Sequence, residues 1–281
     1  MNPTAPPSAR SLRASWRFLR SGALPGPLNM ALDDALVLSC ARGEGGPVLR
    51  LYTWTPPAVS VGYAQALEKE VDLEACRRLG FGLVRRMTGG RAVLHQHELT
   101  YAVAFPEGFL GPGGIQEDYR RISDCLVRGL RRLGVAADLS RGSPGRGAGS
   151  GVCFLAASRF ELAVAGRKLV GSAQRRLRGA VLQHGSLLLD LDRAAWEATL
   201  PGLRNPAISD WAGRVTTLTD LLGARPSLSR VEEALREGFE ETLGDPLPET
   251  LPSRVELEAA AALARGRYAR AGSRLDTPQR L

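Results

Sequence analysis

The sequence predicts an α/β fold of the α+β kind, a mixed β-sheet flanked by helices. Three observations predict it. Short apolar, β-rich runs punctuated by glycine and proline recur through residues 15–105 and 160–189. Helical patterning interleaves with them and dominates from residue 193 onward. The 281 residues, 44% hydrophobic, suffice for a substantial core. With 23% charged residues the composition excludes a wholly disordered chain, and no apolar run approaches the roughly 18–20 residues of a membrane-spanning helix. Residues 1–13 read as a disordered lead, 14–250 as the main domain and 251–281 as a C-terminal helix and tail.

Taken in order, a first strand is expected near residues 15–19. Residues 28–42 (LNMALDDALVLSCAR) carry apolar side chains at helical spacing, with Gly43 as a stop. Residues 48–54 (VLRLYTW) read as a strand closed by Pro56-Pro57, and 58–63 as another. A helix over 71–79 ends at Gly80, a strand follows at 82–86, and Gly89-Gly90 interrupts before the β-rich run 99–105. Residues 116–133 form the clearest amphipathic helix, with Ile122, Leu126, Leu130 and Leu133 on one face. Residues 140–151 hold five glycines and a proline, so they read as a loop, placed where a functional loop would sit. Strands are expected at 160–165, 169–172 and 181–189, then helices at 193–200, 217–222, 230–243 and 255–267.

The formal charge of +8 suits an acidic partner. Nucleic acid would also be an acidic partner, but no aromatic–basic interleaving or recognisable nucleic-acid motif supports it. Lys69 and Lys168 are the two lysines; every other basic residue is arginine. The N-terminal stretch lacks the apolar core of a secretory signal, which places the protein in the cytoplasm with Cys40, Cys76, Cys125 and Cys153 reduced. Three histidines without clustered ligands argue against a structural zinc site. A monomer is the default.

Four segments carry candidate chemistry. In RRMTGGRAVLH (85–95), the Gly89-Gly90 pair lets backbone N–H groups approach an anion or carbonyl, and Arg86 and Arg91 flank it. Taken alone, a Gly-Gly pair between strands is also an ordinary hairpin turn. In GRKLVGSAQ (166–174), Lys168 is placed in a β-type turn, and the small Gly171-Ser172-Ala173 leaves room for a ligand before Gln174. Such a lysine is either a surface charge or, in a partly apolar pocket, a cation that polarises a carbonyl or activates a thiol. His184-Gly185 in QHGSLLL (183–189) offers a second close backbone approach, with His184 and His95 open to a core or a proton-transfer role. Cys153, directly after the glycine-rich loop, is either a small core hydrophobe or a thiolate brought beside Lys168 by adjacent strands.

RRMTGGRAVLHQHELTY, GRKLVGSAQ and QHGSLLL, in that order and spacing, resemble the lipoate–protein ligase and octanoyltransferase superfamily, over about residues 28–244. The resemblance implies a catalytic domain shared with biotin protein ligases. The Cys-Phe pair fifteen residues before the motif lysine, the Gly-Ser-Ala-Gln ending and the short C-terminus are similar to LipM-type octanoyltransferases. It further implies Cys153 as the acyl-thioester nucleophile and Lys168 as the cation that lowers its pKa and binds the acyl carbonyl. Arg86, Gly89, Gly90, Arg91, His95, Gly171, Ser172, Gln174, His184 and Gly185 would bind substrate, with backbone N–H groups near Gly171-Ser172 stabilising an oxyanion. The implied donor is octanoyl-acyl carrier protein and the acceptor a lysine of a lipoyl-domain protein such as glycine-cleavage H protein, with no cofactor. The alternatives are an ATP- and Mg²⁺-dependent lipoate ligase and an amidotransferase between lipoyl domains. One segment departs from the family pattern: Arg267-Tyr268 continues as ARAGSR without the usual tryptophan.

Overall fold

The computed structural model describes residues 15–140 and 161–269. The expected lead at 1–13, the glycine-rich loop from residue 141 onward, Cys153 and the C-terminal tail lie outside the described residues.

Seven strands form one sheet in the order β1-β2-β6-β10-β9-β8-β7: β1 (Arg17–Leu24), β2 (Val48–Trp54), β6 (Glu98–Pro106), β10 (Ala180–Leu188), β9 (Arg167–Leu177), β8 (Leu162–Val164) and β7 (Asp138–Leu139). β1 and β2 are parallel and every other pair in this sheet is antiparallel. A second sheet, β4-β3-β5, comprises β4 (Gly82–Arg85), β3 (Ala58–Val61) and β5 (Val93–His95). The fold is therefore the expected mixed sheet with helices.

Period-two alternation divides the large sheet into two faces. Leu49, Leu51, Tyr101, Val103, Phe105, Val181 and Leu187 pack with α4 (Gly114–Arg132) and α7 (Leu228–Leu243). Tyr52, Trp54, Ala102, Ala104, Ala180 and Leu182 pack with α1 (Gly26–Ala41) and α8 (Arg254–Arg265). α4 and α7 cross in contact: a Cβ on Gly238 would lie 2.3 Å from the Gly129 nitrogen, so both positions require glycine. The core thus sits on both faces of one sheet, which is why β2, β6 and β10 read as near-continuous apolar runs. Among the described residues, no helix is long and apolar enough to cross a membrane.

Several boundaries differ from expectation, for local reasons. The helix expected from residue 71 begins at Leu73 because the Asp72 side chain caps it, accepting from Ala75 N. β5 was not foreseen; three residues are too few for a periodic signal. β9 runs on to Leu177 through Arg175 and Arg176, and strand pairing with β10 overrides their polarity. The turn expected at Lys168 is instead at Ala165-Gly166, both at positive φ (49° and 75°), and Lys168 is the second residue of β9. Between α5 (Arg193–Thr199) and α6 (Leu218–Leu222) the chain makes 3₁₀ turns.

The C-terminal residues hold α1 in place. Ser253 and Glu256 form a capping box at the start of α8, and Glu256 also takes two hydrogen bonds from Arg17 of β1, at 2.7 and 3.1 Å. At the other end, Arg267 Nη1 and Tyr268 Oη both donate to Asp34 Oδ2 at 2.8 Å. Asp34 is fully buried on α1. Burial pushes its carboxyl up to about 6, against the pull of Arg267 and Tyr268, with Asp33 beside it pushing the same way. Because the folded value lies above the unfolded one, the native state binds the proton more readily. The resulting stabilisation is complete below about pH 4 and is lost as pH rises through about 6. Urea unfolding of wild type and Asp34→Asn should therefore show the wild type losing stability relative to the variant between those limits. A difference that stays flat across them contradicts this assignment.

Candidate active site

The two sheets and the first half of α1 frame a narrow pocket of about 30 Å3. Its apolar wall is Met30 of α1, Tyr52 and Trp54 of β2 and Val93 of β5; its far wall is the backbone strip Gly171-Ser172-Ala173 of β9 beside Gly185 of β10. Gly185 must be glycine there: a Cβ would fall 2.5 Å from the Gly171 carbonyl and 2.7 Å from the Tyr101 ring and Ser172 Oγ. Arg86, His95, Gly171, Ser172, His184 and Gly185, all expected from sequence, line this one pocket.

A buried polar hub fixes α1 against the sheet. Asp33 Oδ1 accepts from Arg50 Nη1 at 2.7 Å, and Oδ2 accepts from Tyr52 Oη at 2.8 Å and faces His184 Nδ1 at 3.2 Å. Arg50, fully buried, also reaches the Asn29 carbonyl and side chain and Ser21, and its guanidinium lies 3.8 Å from the Tyr52 ring centre. Burial alone would raise the Asp33 carboxyl, but the Arg50 charge and the His184 and Tyr52 hydrogen bonds outweigh it and hold it below the ordinary range. On its other side His184 Nε2 meets Thr88 Oγ1 at 2.7 Å. One carboxylate thus orients the His184 ring and, through it, the Thr88-Gly89-Gly90 loop.

The arginines beside that loop act differently from the expected anion cradle. Arg86 donates to the carbonyls of Ser60, Gly89 and Arg91 at 3.2, 2.9 and 2.7 Å, and to Ser60 Oγ at 3.0 Å. Arg85 donates to the carbonyls of Gly62 and Gln65 at 3.0 and 2.6 Å. The Arg86 guanidinium braces the 88–91 loop while still forming pocket wall, and that of Arg85 braces the turn at 62–65. Gly90 is at φ 89°, and its carbonyl would come within 2.1 Å of a Cβ on Gly62, so the loop packs directly on β3's end. Gly89, Gly90 and Arg91 flank the pocket rather than line it.

His95 closes the other end. Its ring stacks on Trp54 with centroids 4.0 Å apart and 17° between planes, and its Nε2 meets Ser60 Oγ at 2.8 Å. Burial, aided by the Arg86 charge, outweighs the nearby Glu98 carboxylate and pushes His95 below its ordinary value, so the ring is neutral at neutral pH. Trp54 Nε1 donates to Thr100 Oγ1, which donates on to Glu98. A second cavity of about 550 Å3 shares Trp54 and His95 as walls; its other walls include Gln96, His97, Glu98 and Leu189 of the motifs and residues 225–228, but, apart from His95, none of the site residues expected from sequence.

Lys168 is 6% exposed and its Nζ donates to Glu161 Oε1 at 2.8 Å, with Glu161 3% exposed. It adjoins the pocket strip along β9 and is not itself a lining residue. Tyr101 Oη donates to Ser172 Oγ at 2.7 Å and accepts from Gln183, whose carbonyl oxygen accepts from Gln174 at 3.1 Å. Gln174 is therefore tied to the sheet's opposite face, away from the lining. Sequence reasoning missed Asp33, Arg50, Thr88 and Glu161. A signal existed for the first two: paired aspartates inside an apolar helix and an arginine centred in the strand VLRLYTW both require buried partners.

The comparisons with known proteins agree with this geometry. The family profile of the lipoyl protein ligase A/B catalytic domain matches residues 25–240. Octanoyltransferase LipM of Kyrpidia tusciae is 49% identical over 82% of this chain and 88% of its own. LipM of Bacillus subtilis is 38% identical over 92% and 96%. Among solved structures, lipoate-protein ligase A bound with ATP superposes with a TM-score of 0.77 at 28% identity, covering 91% of this chain and 96% of the ligase. The bipartite lipoate protein ligase of Thermoplasma acidophilum, solved in a study of that ligase and its E2 lipoyl domain, gives 0.76 at 27%, covering 95% and 99%. Sequence motif, fold and relatives converge: the chain belongs to the LipM octanoyltransferase family, built on the lipoyl protein ligase A/B catalytic domain.

Proposed function

We propose that the protein moves an octanoyl group from acyl carrier protein to a lysine of a lipoyl domain, such as that of glycine-cleavage H protein, through a thioester on Cys153. The observation that carries the reading is the narrow, mostly apolar pocket ending on a glycine-lined backbone strip one turn of strand from a buried lysine. An unbranched acyl chain matches such a slot. In the first step the Cys153 thiolate forms a C–S bond to the acyl carbon and the carrier's C–S bond breaks, releasing the carrier as a thiolate that takes up the proton Cys153 gave up. In the second the acceptor's amine forms the C–N bond, the Cys153 C–S bond breaks and the amine's proton returns to the thiolate. Thioester exchange is nearly isoenergetic and thioester to amide runs downhill, so neither ATP nor Mg²⁺ is needed. The bracing of Arg85 and Arg86 on loop carbonyls supports this over the nucleotide-dependent ligase, which would draw on such cations for phosphate.

Lys168 supplies a positive charge near the proposed thiolate, and Glu161 sets where its ammonium points. A buried ion pair persists because each partner compensates the other's lost hydration. The basic surface, formally +8, favours encounter with acidic carrier and lipoyl domains in the cytoplasm.

Incubation with octanoyl-acyl carrier protein, without ATP, should give a hydroxylamine-labile octanoyl adduct on the peptide holding Cys153, absent from Cys153→Ala. Acylation that needs ATP and free acid and survives Cys153→Ala would replace this reading with the ligase. An octanoyl-lipoyl domain that serves as donor where octanoyl-acyl carrier protein does not would replace it with the amidotransferase. Lys168→Arg keeps the charge but exchanges a compact ammonium for a planar fork that the single Glu161 oxygen does not match, and should slow acyl-enzyme formation by about 10- to 100-fold. A wild-type rate in Lys168→Arg would remove the lysine from the mechanism.

A further inference from the structure

The pocket contains one hydroxyl with nothing to bond. Ser186 on β10 is 3% exposed and lines the pocket, and its Oγ has no hydrogen-bond partner among the described residues. Strand register places it in one row with Thr100 on β6 and Gly171 on β9. The other polar side chains of the pocket are engaged. Thr100, its cross-strand neighbour, accepts from Trp54 and donates to Glu98. Ser60 bonds His95 and Arg86, His184 spans Asp33 and Thr88, Tyr52 donates to Asp33, and Ser172 accepts from Tyr101. His95 Nδ1 makes no hydrogen bond but faces Glu98 Oε1 at 3.5 Å, whereas Ser186 is the lining hydroxyl with no partner at all among the described residues. A hydroxyl buried without a partner is disfavoured, so its persistence on the pocket wall points to a ligand atom as the partner.

We propose that Ser186 is a catalytic residue, whose hydroxyl donates a hydrogen bond to the carbonyl oxygen of the acyl thioester. The inference rests on the reading of this pocket as the acyl site, and deepens it. An octanoyl thioester is hydrocarbon except at its carbonyl oxygen, a strong acceptor, and its sulfur, a weak one. The unpartnered Ser186 hydroxyl, offered to such a ligand, therefore selects the carbonyl. When the thiolate's C–S bond forms, the carbonyl π pair moves onto that oxygen, and a donor already aimed at it gains strength in the transition state. The pair returns as the carrier's C–S bond breaks and its thiolate leaves; Ser186 keeps its proton throughout. Its partner in register, Gly171, also lines the pocket and has no side chain to cover the hydroxyl.

The test compares wild type, Ser186→Ala and Ser186→Thr as full-length proteins in single-turnover acylation by octanoyl-acyl carrier protein. A carrier bearing an S-octyl thioether arm, which has the chain but no carbonyl, serves as competitive ligand. Ser186→Ala should acylate about 100-fold more slowly, Ser186→Thr should recover much of that loss, and all three should bind the thioether carrier with equal affinity. Equal thioether binding also certifies that the variants are folded around an intact pocket. Acylation of Ser186→Ala at the wild-type rate, or a parallel loss of thioether binding, overturns the role. If wild type itself forms no acyl-enzyme, the transfer reading falls and this inference with it.

Discussion

The carboxylate of Asp33, buried where helix α1 meets the large sheet, gathers a guanidinium, a phenol and an imidazole onto its two oxygens. A lone ion in that position would be untenable, and the arrangement stands because Arg50 shares the charge and is itself bonded through Asn29 and Ser21. Removing either charge would strand the other, a loss of about 3–5 kcal/mol for a buried pair. The geometry that follows is extensive. α1 is pinned through β2, so Met30 becomes a pocket wall; His184 is held by Nδ1, so its Nε2 must face Thr88; and the Thr88-Gly89-Gly90 loop is thereby drawn to the sheet. Asp34, the next residue, receives the C-terminal residues on the opposite side of the same helix. Adjacent positions on α1 thus connect the pocket to the end of the chain.

The pocket separates two kinds of environment. Its polar side chains are largely bonded to one another; Ser186 Oγ and His95 Nδ1, the latter turned toward Glu98, are the atoms without a hydrogen bond. Trp54 and His95 set one limit as a stacked pair, Trp54 hydrogen-bonded to Thr100 and His95 to Ser60. The other limit is main chain, where Gly171 and Gly185 allow strands β9 and β10 to approach with no side chain intervening. Next to it along β9 lies the buried Lys168–Glu161 pair. A largely apolar chamber whose charged neighbours, Arg86, the Asp33–Arg50 hub and the Lys168–Glu161 pair, are each held by partners suits the proposed chemistry, in which charge develops at one atom.

Much of this was legible in the sequence, and the exceptions share a cause. The strand at 48–54 agrees to the residue, α4 and α7 within two residues at each end, and Gly185 of the motif glycines marks a close backbone approach, whereas Gly89 does not. Periodicity and glycine placement are local properties, and local properties can be read. Lys168 was singled out correctly as unusual, yet its placement in a turn failed because the positive-φ residues two and three positions earlier make the turn instead. Asp33 and Arg50 signalled a need for partners but not which ones, since the strand pairing that unites them is a tertiary fact. Glu161, seven residues from Lys168 across a hairpin, looked like any charge at a strand edge. The role of Arg267-Tyr268, left open by the missing tryptophan, became readable once Asp34 was seen to accept both hydrogen bonds.

The central claim is that the hub-supported pocket between α1, the small sheet and β9–β10 is where the acyl chain resides. A crystal structure of the protein carrying an octanoyl group tests it most directly. The account predicts hydrocarbon density running between Met30, Tyr52 and the Trp54–His95 pair, with the acyl carbonyl beside Gly171 and Ser186. An octanoyl chain found instead in the larger cavity bounded by His97, Arg225 and Ser227 would contradict it.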